Sequence, residues 1–298
     1  MRLPNKPKVL PCLAGPILLG CVLSAQLPAQ TIVYGGFNST EGLTRNGDAE
    51  VVTTTNGDGK VMRLAPASPN QAGSIFTETK FNIASFSTIF EFRITGRNGS
   101  NNDSSSADGL AFIVQNKVST ALGDTGEFLG YGGSTASKIT PSVAVEFDTF
   151  FNSGNDPTIA NGGSNHVGID IGGSVVFHAD QTAKVTPNMD DGDKWTVWVD
   201  YNGSILEVRM SINGLRPTTA ILTQTNFDIP ALVGSSTGFI GFSASTGGAN
   251  TNHDLLGWAY SETFLTNGLA SVPEPSTTVL LGLGALLVLG GRRLRRAR

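Results

Sequence analysis

The chain has 298 residues, 37 of them Gly, with 15% charged residues and a formal net charge of −4; sparse charge with recurrent Val, Thr, Phe and Ser favours short strands joined by Gly/Asn turns over helices. Eight of the 20 basic residues lie at the ends (Arg2, Lys6, Lys8, Arg292, Arg293, Arg295, Arg296 and Arg298), so residues 31–271 keep 12 basic against 23 acidic residues, a net of −11. That acidity excludes nucleic acid, which needs clustered Lys/Arg to displace counterions, and because both cysteines, Cys12 and Cys21, fall in the first 21 residues, the body has no disulfide framework or thiolate zinc site.

Arg2, Lys6 and Lys8 precede an apolar run from Val9 to Leu23, with small residues near Ala25 and Ala29. This reads as a secretory signal peptide over residues 1–30, which makes the protein an exported one. Leu18-Leu19-Gly20-Cys21 leaves a second route open, lipidation of Cys21, although the residues after it are apolar rather than a polar tether.

The body, residues 31–268, shows strand signals throughout and no linker, repeat or charge block. Alternation places Phe86, Thr88, Phe90, Phe92 and Ile94 on one face. Trp195, Val197, Val199 and Tyr201 share a face, as do Leu206, Val208, Met210 and Ile212, and Asn202-Gly203 between them predicts a type I′ hairpin. Gly238–Ser245 and Asp254–Tyr260 add two late strands. Many short antiparallel strands without an amphipathic helix predict an all-β sandwich with one core, and these aromatics are read as core.

One stretch, Val143–Asp170, carries chemistry. On a strand, Glu146 and Asp148 share a face while Val143, Val145 and Phe147 take the other. Two neighbouring carboxylates repel each other and are costly to desolvate, and a divalent cation relieves both costs. Asp148, Asn152 and Asp156 supply oxygen ligands of the kind Ca²⁺ takes; His166 supplies an imidazole suited to Mn²⁺ or another transition metal. Each Asp or Asn alone reads equally as a turn former.

At the C-terminus Val272-Pro273-Glu274-Pro275-Ser276 precedes an apolar run, Thr277 to Gly291, and an Arg cluster. Fifteen apolar residues are short for a transmembrane helix, which needs about 20, and the Arg cluster would hold that end on the cytoplasmic side. This order, over residues 269–298, resembles the PEP-CTERM sorting signal of Gram-negative bacteria. The resemblance implies transient anchoring in the inner membrane, processing by an exosortase, and delivery to the cell envelope or extracellular matrix.

Four blocks together resemble a legume-lectin-type (L-type) lectin over Ile32 to Phe264: Ser85–Phe92, Ala107–Ile113, Val143–Ile171, and Gly241–Gly247 followed by His253 and Trp258. The resemblance implies a concanavalin A-like jelly-roll sandwich of antiparallel sheets, non-enzymatic, that binds polysaccharide or glycoconjugate and meets the membrane only through its sorting span. It implies that Glu146, Asp148, Asp156 and His166 hold the transition metal. It gives Ca²⁺ to Asp148, Asn152, Asp156 and the Phe150 carbonyl. It assigns carbohydrate to Asp108 (after a cis Ala107–Asp108 peptide), Gly126, Asn152, Gly248 and Ala249, the last two within a specificity loop Gly247–Asn250, with Glu127 as a one-residue alternative to Gly126. The ten-position step from Asp156 to His166 departs from the plant pattern, so a loosened His166 is expected, with Ca²⁺ the firmer ion. Phe151 is read either as a sugar-stacking ring or as core; His178 and His253 are read as structural.

Two rivals remain. A glycoside hydrolase on this fold needs a second Glu after Glu146-Phe147-Asp148, where Thr149, Phe150 and Phe151 stand instead. A matrix protein that keeps the fold without binding sugar would have lost Asp108 or Asn152, and both are present.

Overall fold

The computed structural model describes residues 31–98, 106–156, 164–176 and 181–272. The signal-peptide segment with Cys12 and Cys21, His178, and the tail from Pro273 onward lie outside them.

Two antiparallel sheets make up the domain. The back sheet runs β14 (Leu222–Thr225), β13 (Ile205–Ser211), β12 (Trp195–Tyr201), β7 (Phe86–Asn98), β16 (Asn250–Ser261), β4 (Lys60–Ala65), β3 (Glu50–Thr53), with β1 (Thr31–Tyr34) pairing the end of β16. The front sheet runs β11 (Thr182–Lys184), β10 (His166–Ile171), β9 (Ser142–Asp148), β8 (Gly109–Gln115), β15 (Thr237–Ser245), β5 (Ala72–Thr77), β2 (Leu43–Gly47), with β6 (Phe81–Asn82) also on β15. Runs of consecutive strands pair within one sheet (β8 to β11 in front, β12 to β14 behind), and crossovers such as β7 to β8, β14 to β15 and β15 to β16 join the two sheets. The one short α-helix described, Ile229–Val233, is capped by the Asp228 side chain, with Pro230 in its first turn.

The alternating apolar positions meet between the sheets. Phe90 packs edge-to-face on Phe242 at 4.9 Å, and Phe242 on Trp258 at 5.1 Å, with Phe112 and Phe147 closing the cluster. Edge-to-face rings add roughly 0.5–1.5 kcal/mol per pair beyond the area they bury. Trp195, Val197, Val199 and Tyr201 face this core, as do Leu206, Val208 and Met210, whereas Ile212 lies past the end of β13 and is exposed.

The hairpin between β12 and β13 differs from the expected type I′. Only Gly203 takes a positive φ, +98°. The Asn202 side chain accepts from the N–H groups of Ser204 and Ile205, and its own N–H donates to the Ile205 carbonyl, so the tight loop is Gly203-Ser204. The side-chain oxygen does the work that a second positive φ would have done.

A second, smaller apolar cluster coats the outer face of the front sheet. The loop between β8 and β9 brings Ala121, Tyr131 and Ile139 onto Ala111, Ile113 and Ala144. That loop carries the glycine segment of the site.

Candidate functional site

The site begins with the register of three strands. In β8–β9–β10, Gly109 pairs with Asp148 and Asp148 with His166; one rung along, Ala111 pairs with Glu146 and Glu146 with Gly168. Residues in register share a face, and Val145 and Phe147 occupy the opposite, core-facing side of β9. Glu146 is therefore flanked by Ala111 and Gly168, which leave space for its carboxylate. A Cβ at Gly168 would come within 2.5 Å of Glu146 Oε1. A Cβ at Gly109 would meet the Phe147 carbonyl at 2.3 Å.

Glu146, Asp148 and His166 are all buried, and one ligand atom from each lies within 4.8 Å of the others. His166 Nε2 stands 3.1 Å from Glu146 Oε1. The long step from Asp156 to His166 thus leaves the imidazole in place, because pairing at the start of β10 fixes it against Asp148 whatever precedes it. Asp156 stands beside this cluster rather than in it, after a turn in which its N–H and that of Asn155 donate to the Asn152 carbonyl. Its carboxylate accepts from the Asn152 N–H, and Phe150 N–H donates to Asp148 Oδ1 at 2.7 Å.

The electrostatics are those of carboxylates kept from water. Burial, then the charges of Asp156 and Glu146, push Asp148 well above the usual range. Burial raises Asp156 to about 6 against the opposing Asn152 N–H and His166. Asp170, two residues beyond Gly168 on the same face of β10, is raised well above its usual range by burial and then by Glu146. A divalent cation fits this set: buried carboxylates beside an imidazole, with the Asn152 Oδ1 buried and without a hydrogen-bond partner among the described residues.

Asp108 sits where three loops converge. Its N–H donates to the Ser245 carbonyl, and its carbonyl accepts from the Thr149 N–H and Oγ1. The Ala107–Asp108 peptide is cis, with the Ala107 carbonyl accepting from Thr251 Oγ1. Burial, then the charge of Glu127, raise the Asp108 carboxyl to about 7, and the Gly247 N–H pulls the other way. Its Oδ2 is buried and unpaired among the described residues. Gly126, at φ +67°, donates to the Thr246 carbonyl and accepts from Ser245 Oγ. A Cβ on Gly247 would be 3.3 Å from Asp108 Oδ2 and 3.5 Å from Gly126 Cα.

The structure thus brings Asp108, Gly126 and Glu127 together with the loop after β15. Within that loop it is Gly247 that touches Asp108, whereas a Cβ on Gly248 would meet open space and Ala249 is buried. Phe151 is 41% exposed, so its ring is not core. His253 is fully buried, and burial lowers its pKa to about 3, so it is neutral. Three participants were missed in the sequence. Asp170 was signalled by the 166–168–170 alternation, Gly168 by its register opposite Glu146. The segment Ser68–Gln71, which braces the loop after β15 through Thr246 and Gly247, had no local signal.

A legume lectin domain model matches residues 29–274, and a PEP-CTERM protein-sorting motif matches residues 271–296. The chain is 32% identical over 241 residues to the L-type lectin-domain containing receptor kinase VIII.1 of Arabidopsis thaliana, covering 79% of this chain and 31% of that protein. It is 26% identical over 302 residues to receptor kinase I.7 of the same plant, covering 92% and 43%. The chain therefore spans less than half the length of either relative. Among solved structures it resembles the basic winged bean lectin, solved with Tn-antigen, at 27% identity and a TM-score of 0.61, covering 78% of this chain and 98% of that one. Lectin II from Ulex europaeus gives 26% and 0.61, covering 78% and 97%.

Proposed function

From the premise that this chain belongs to the legume lectin family, we propose that it is an exported, metal-dependent lectin that holds extracellular or cell-surface polysaccharide and carries out no catalysis. The observation that carries this reading is a pair of orphaned oxygens. Asp108 Oδ2 and Asn152 Oδ1 are buried beside the carboxylate–imidazole cluster without a hydrogen-bond partner among the described residues. Unpaired buried oxygens cost roughly 1–3 kcal/mol each, and a bound ion and sugar hydroxyls would satisfy them.

In this reading Glu146, Asp148, Asp156 and His166 hold a transition metal such as Mn²⁺, and Asp148, Asn152, Asp156 and the Phe150 carbonyl hold Ca²⁺. The ions supply fixed positive charge that neutralises the buried carboxylates. The chain's own residues do the recognition: Asp108 accepts from sugar hydroxyls, Asn152 turns its amide toward them, and Gly126, Gly248 and Ala249 shape the rim. Glu146 and Asp148 both belong to the metal set, so neither is free to act as a hydrolytic nucleophile.

The organisation of the whole chain completes the proposal. Residues 1–30 are removed on export, residues 31–268 form the lectin domain, and residues 269–298 anchor the protein in the inner membrane of a Gram-negative bacterium until an exosortase releases it to the envelope or matrix. Among the described residues no helix is long and apolar enough to cross a membrane.

A glycan array of bacterial and plant polysaccharides, run with Ca²⁺ and again with chelator, tests the reading. Chelator-sensitive retention is expected. Retention that survives chelation would remove the metal from the function, and no retention at all would leave a matrix protein that keeps the fold alone.

A further inference from the structure

After β16 the chain turns back over the outer face of the back sheet. The Leu265 N–H donates to Ser87 Oγ at 2.9 Å, and the Leu269 carbonyl accepts from Trp198 Nε1 at 3.0 Å. Leu269 and Val272 pack on Ile89, Trp198 and Ala259, an apolar patch on the side of the sheet away from the core. Two glycines make room for this crossing. Gly268 takes φ +66°, and a Cβ there would strike Arg216 Nε at 2.6 Å, while a Cβ on Gly257 would strike Val272 Cγ1 at 2.7 Å. Arg216 is itself held by the buried Asp200 at 2.6 Å. Val272 ends at the wall of a groove of about 590 Å³ that Lys60, Glu91 and Lys194 also line.

We propose that Leu265–Val272 is a built strap that fixes the sorting tail to the back of the domain, so that the membrane-held protein lies with its back sheet toward the bilayer and the candidate sugar site turned away from it. This rests on reading Thr277–Gly291 as a membrane span. Val272 and Thr277 are five steps apart, at most about 18 Å even when fully extended. Val272 touches Gly257, and β16 runs seven residues from there to Asn250 at the site end, about 24 Å at strand rise. A domain standing upright on its site end would need about 24 Å between Val272 and the bilayer, more than the tether spans, so the site end cannot point straight at the membrane while the strap is docked. The opposite end of β16, Ser261, is four residues from Gly257, about 14 Å, so the domain settles on its back face or rocks toward that end. In both postures the site-bearing side, on the outer face of the front sheet, faces outward. The ordinary consequence of a tether is free tumbling; the strap removes it.

The test uses the full mature chain, residues 31–298, which has no cysteine of its own, reconstituted in liposomes that contain headgroup-nitroxide lipids. A fluorophore is placed at Lys60→Cys, on the groove wall, or at Ser153→Cys, in the loop of Asn152. The expected result is several-fold stronger quenching at position 60. Adding Leu269→Asp and Val272→Asp should bring the two positions to equal quenching. Equal quenching in the unmodified strap, or an unchanged difference after the double substitution, would overturn the proposal. Failure of the full chain to float with liposomes would overturn it through the anchor instead, and is separately visible. Hydrogen exchange of the same full chain in detergent reads the strap alone: the Leu265 amide is slow if it is docked, and fast exchange there refutes the strap.

Discussion

The imidazole of His166 points its Nε2 at Oε1 of Glu146, 3.1 Å away, and neither side chain is open to solvent. The contact spans two neighbouring strands and sits one rung from the Asp148–His166 pair. It holds a nitrogen and a carboxylate oxygen at a spacing from which both can turn toward one ion. The metal-stripped protein is expected to gain thermal stability on adding Mn²⁺ or Ca²⁺, by about 2.7 kcal/mol when free ion is 100-fold above its Kd. His166→Ala should lose most of the Mn²⁺ response and keep the Ca²⁺ response. Calorimetric titration of each ion into wild type and variant checks the split.

A second prediction concerns pH. Asp108 and Asp156 titrate at about 7 and about 6 in the folded, metal-free protein, against about 3.8 for an unperturbed Asp. Their folded values are raised, so they contribute stability that is fully present below about pH 4 and is lost as pH rises through 6 to 7. The thermal midpoint of chelator-treated protein should therefore fall across that window. Ions bind the deprotonated carboxylates, so adding Ca²⁺ should flatten the fall and release protons. Midpoints with and without Ca²⁺, and ion titrations in buffers of different ionisation enthalpy, measure both. A metal-free midpoint that climbed from pH 5 to 7 would contradict the assignment.

Gly168 gives a third. Its register opposite Glu146 leaves no space for a methyl group, since a Cβ would stand 2.5 Å from Oε1. Gly168→Ala should cost roughly 1–3 kcal/mol, the usual range for overpacking, and should weaken ion affinity by turning the carboxylate away. Denaturant unfolding and the Mn²⁺ titration check it. A variant with lower stability and unchanged ion affinity would show that Glu146 can shift without consequence.

How much of this was legible beforehand follows from what each feature depends on. Strand faces such as Phe86 to Ile94 depend only on period-two alternation, and they pack as read. The 143–170 stretch was legible because its ligand types are concentrated on one strand and the loop after it. What escaped depends on partners far along the chain. Ser68 braces Thr246 across 178 residues, and the strap's Leu269 covers a Trp198 that alternation had already set apart from Trp195 and Val197; the loop Gly247–Asn250 was expected at the site, but not that Gly247 would be its member against Asp108. Asn202-Gly203 was legible as a turn but not in its register, because an Asn side chain can replace a backbone conformation. Phe151 was undecidable locally; only the packing of the loop leaves its ring outside.

The fourth prediction separates stability from binding at one residue. Asp108 is buried, its Oδ2 has no hydrogen-bond partner among the described residues, and burial holds its carboxyl near pH 7. Its backbone is fixed independently of its side chain, by Ser245 on one side and Thr149 on the other. Asp108→Ala should therefore keep the fold and leave the metal-free thermal midpoint equal or higher, since a desolvated polar group is removed. Retention on a chelator-sensitive glycan should fall more than about tenfold, because hydrogen bonds to a charged group contribute about 1.5–3 kcal/mol each. Asp108→Asn keeps the shape and one acceptor, and should bind between the two. Thermal scans and glycan retention on the three proteins decide it. Parallel loss of stability and retention in Asp108→Ala would make the residue a structural support; loss of retention at constant or raised stability would mark a side chain kept for its ligand at a cost to the fold.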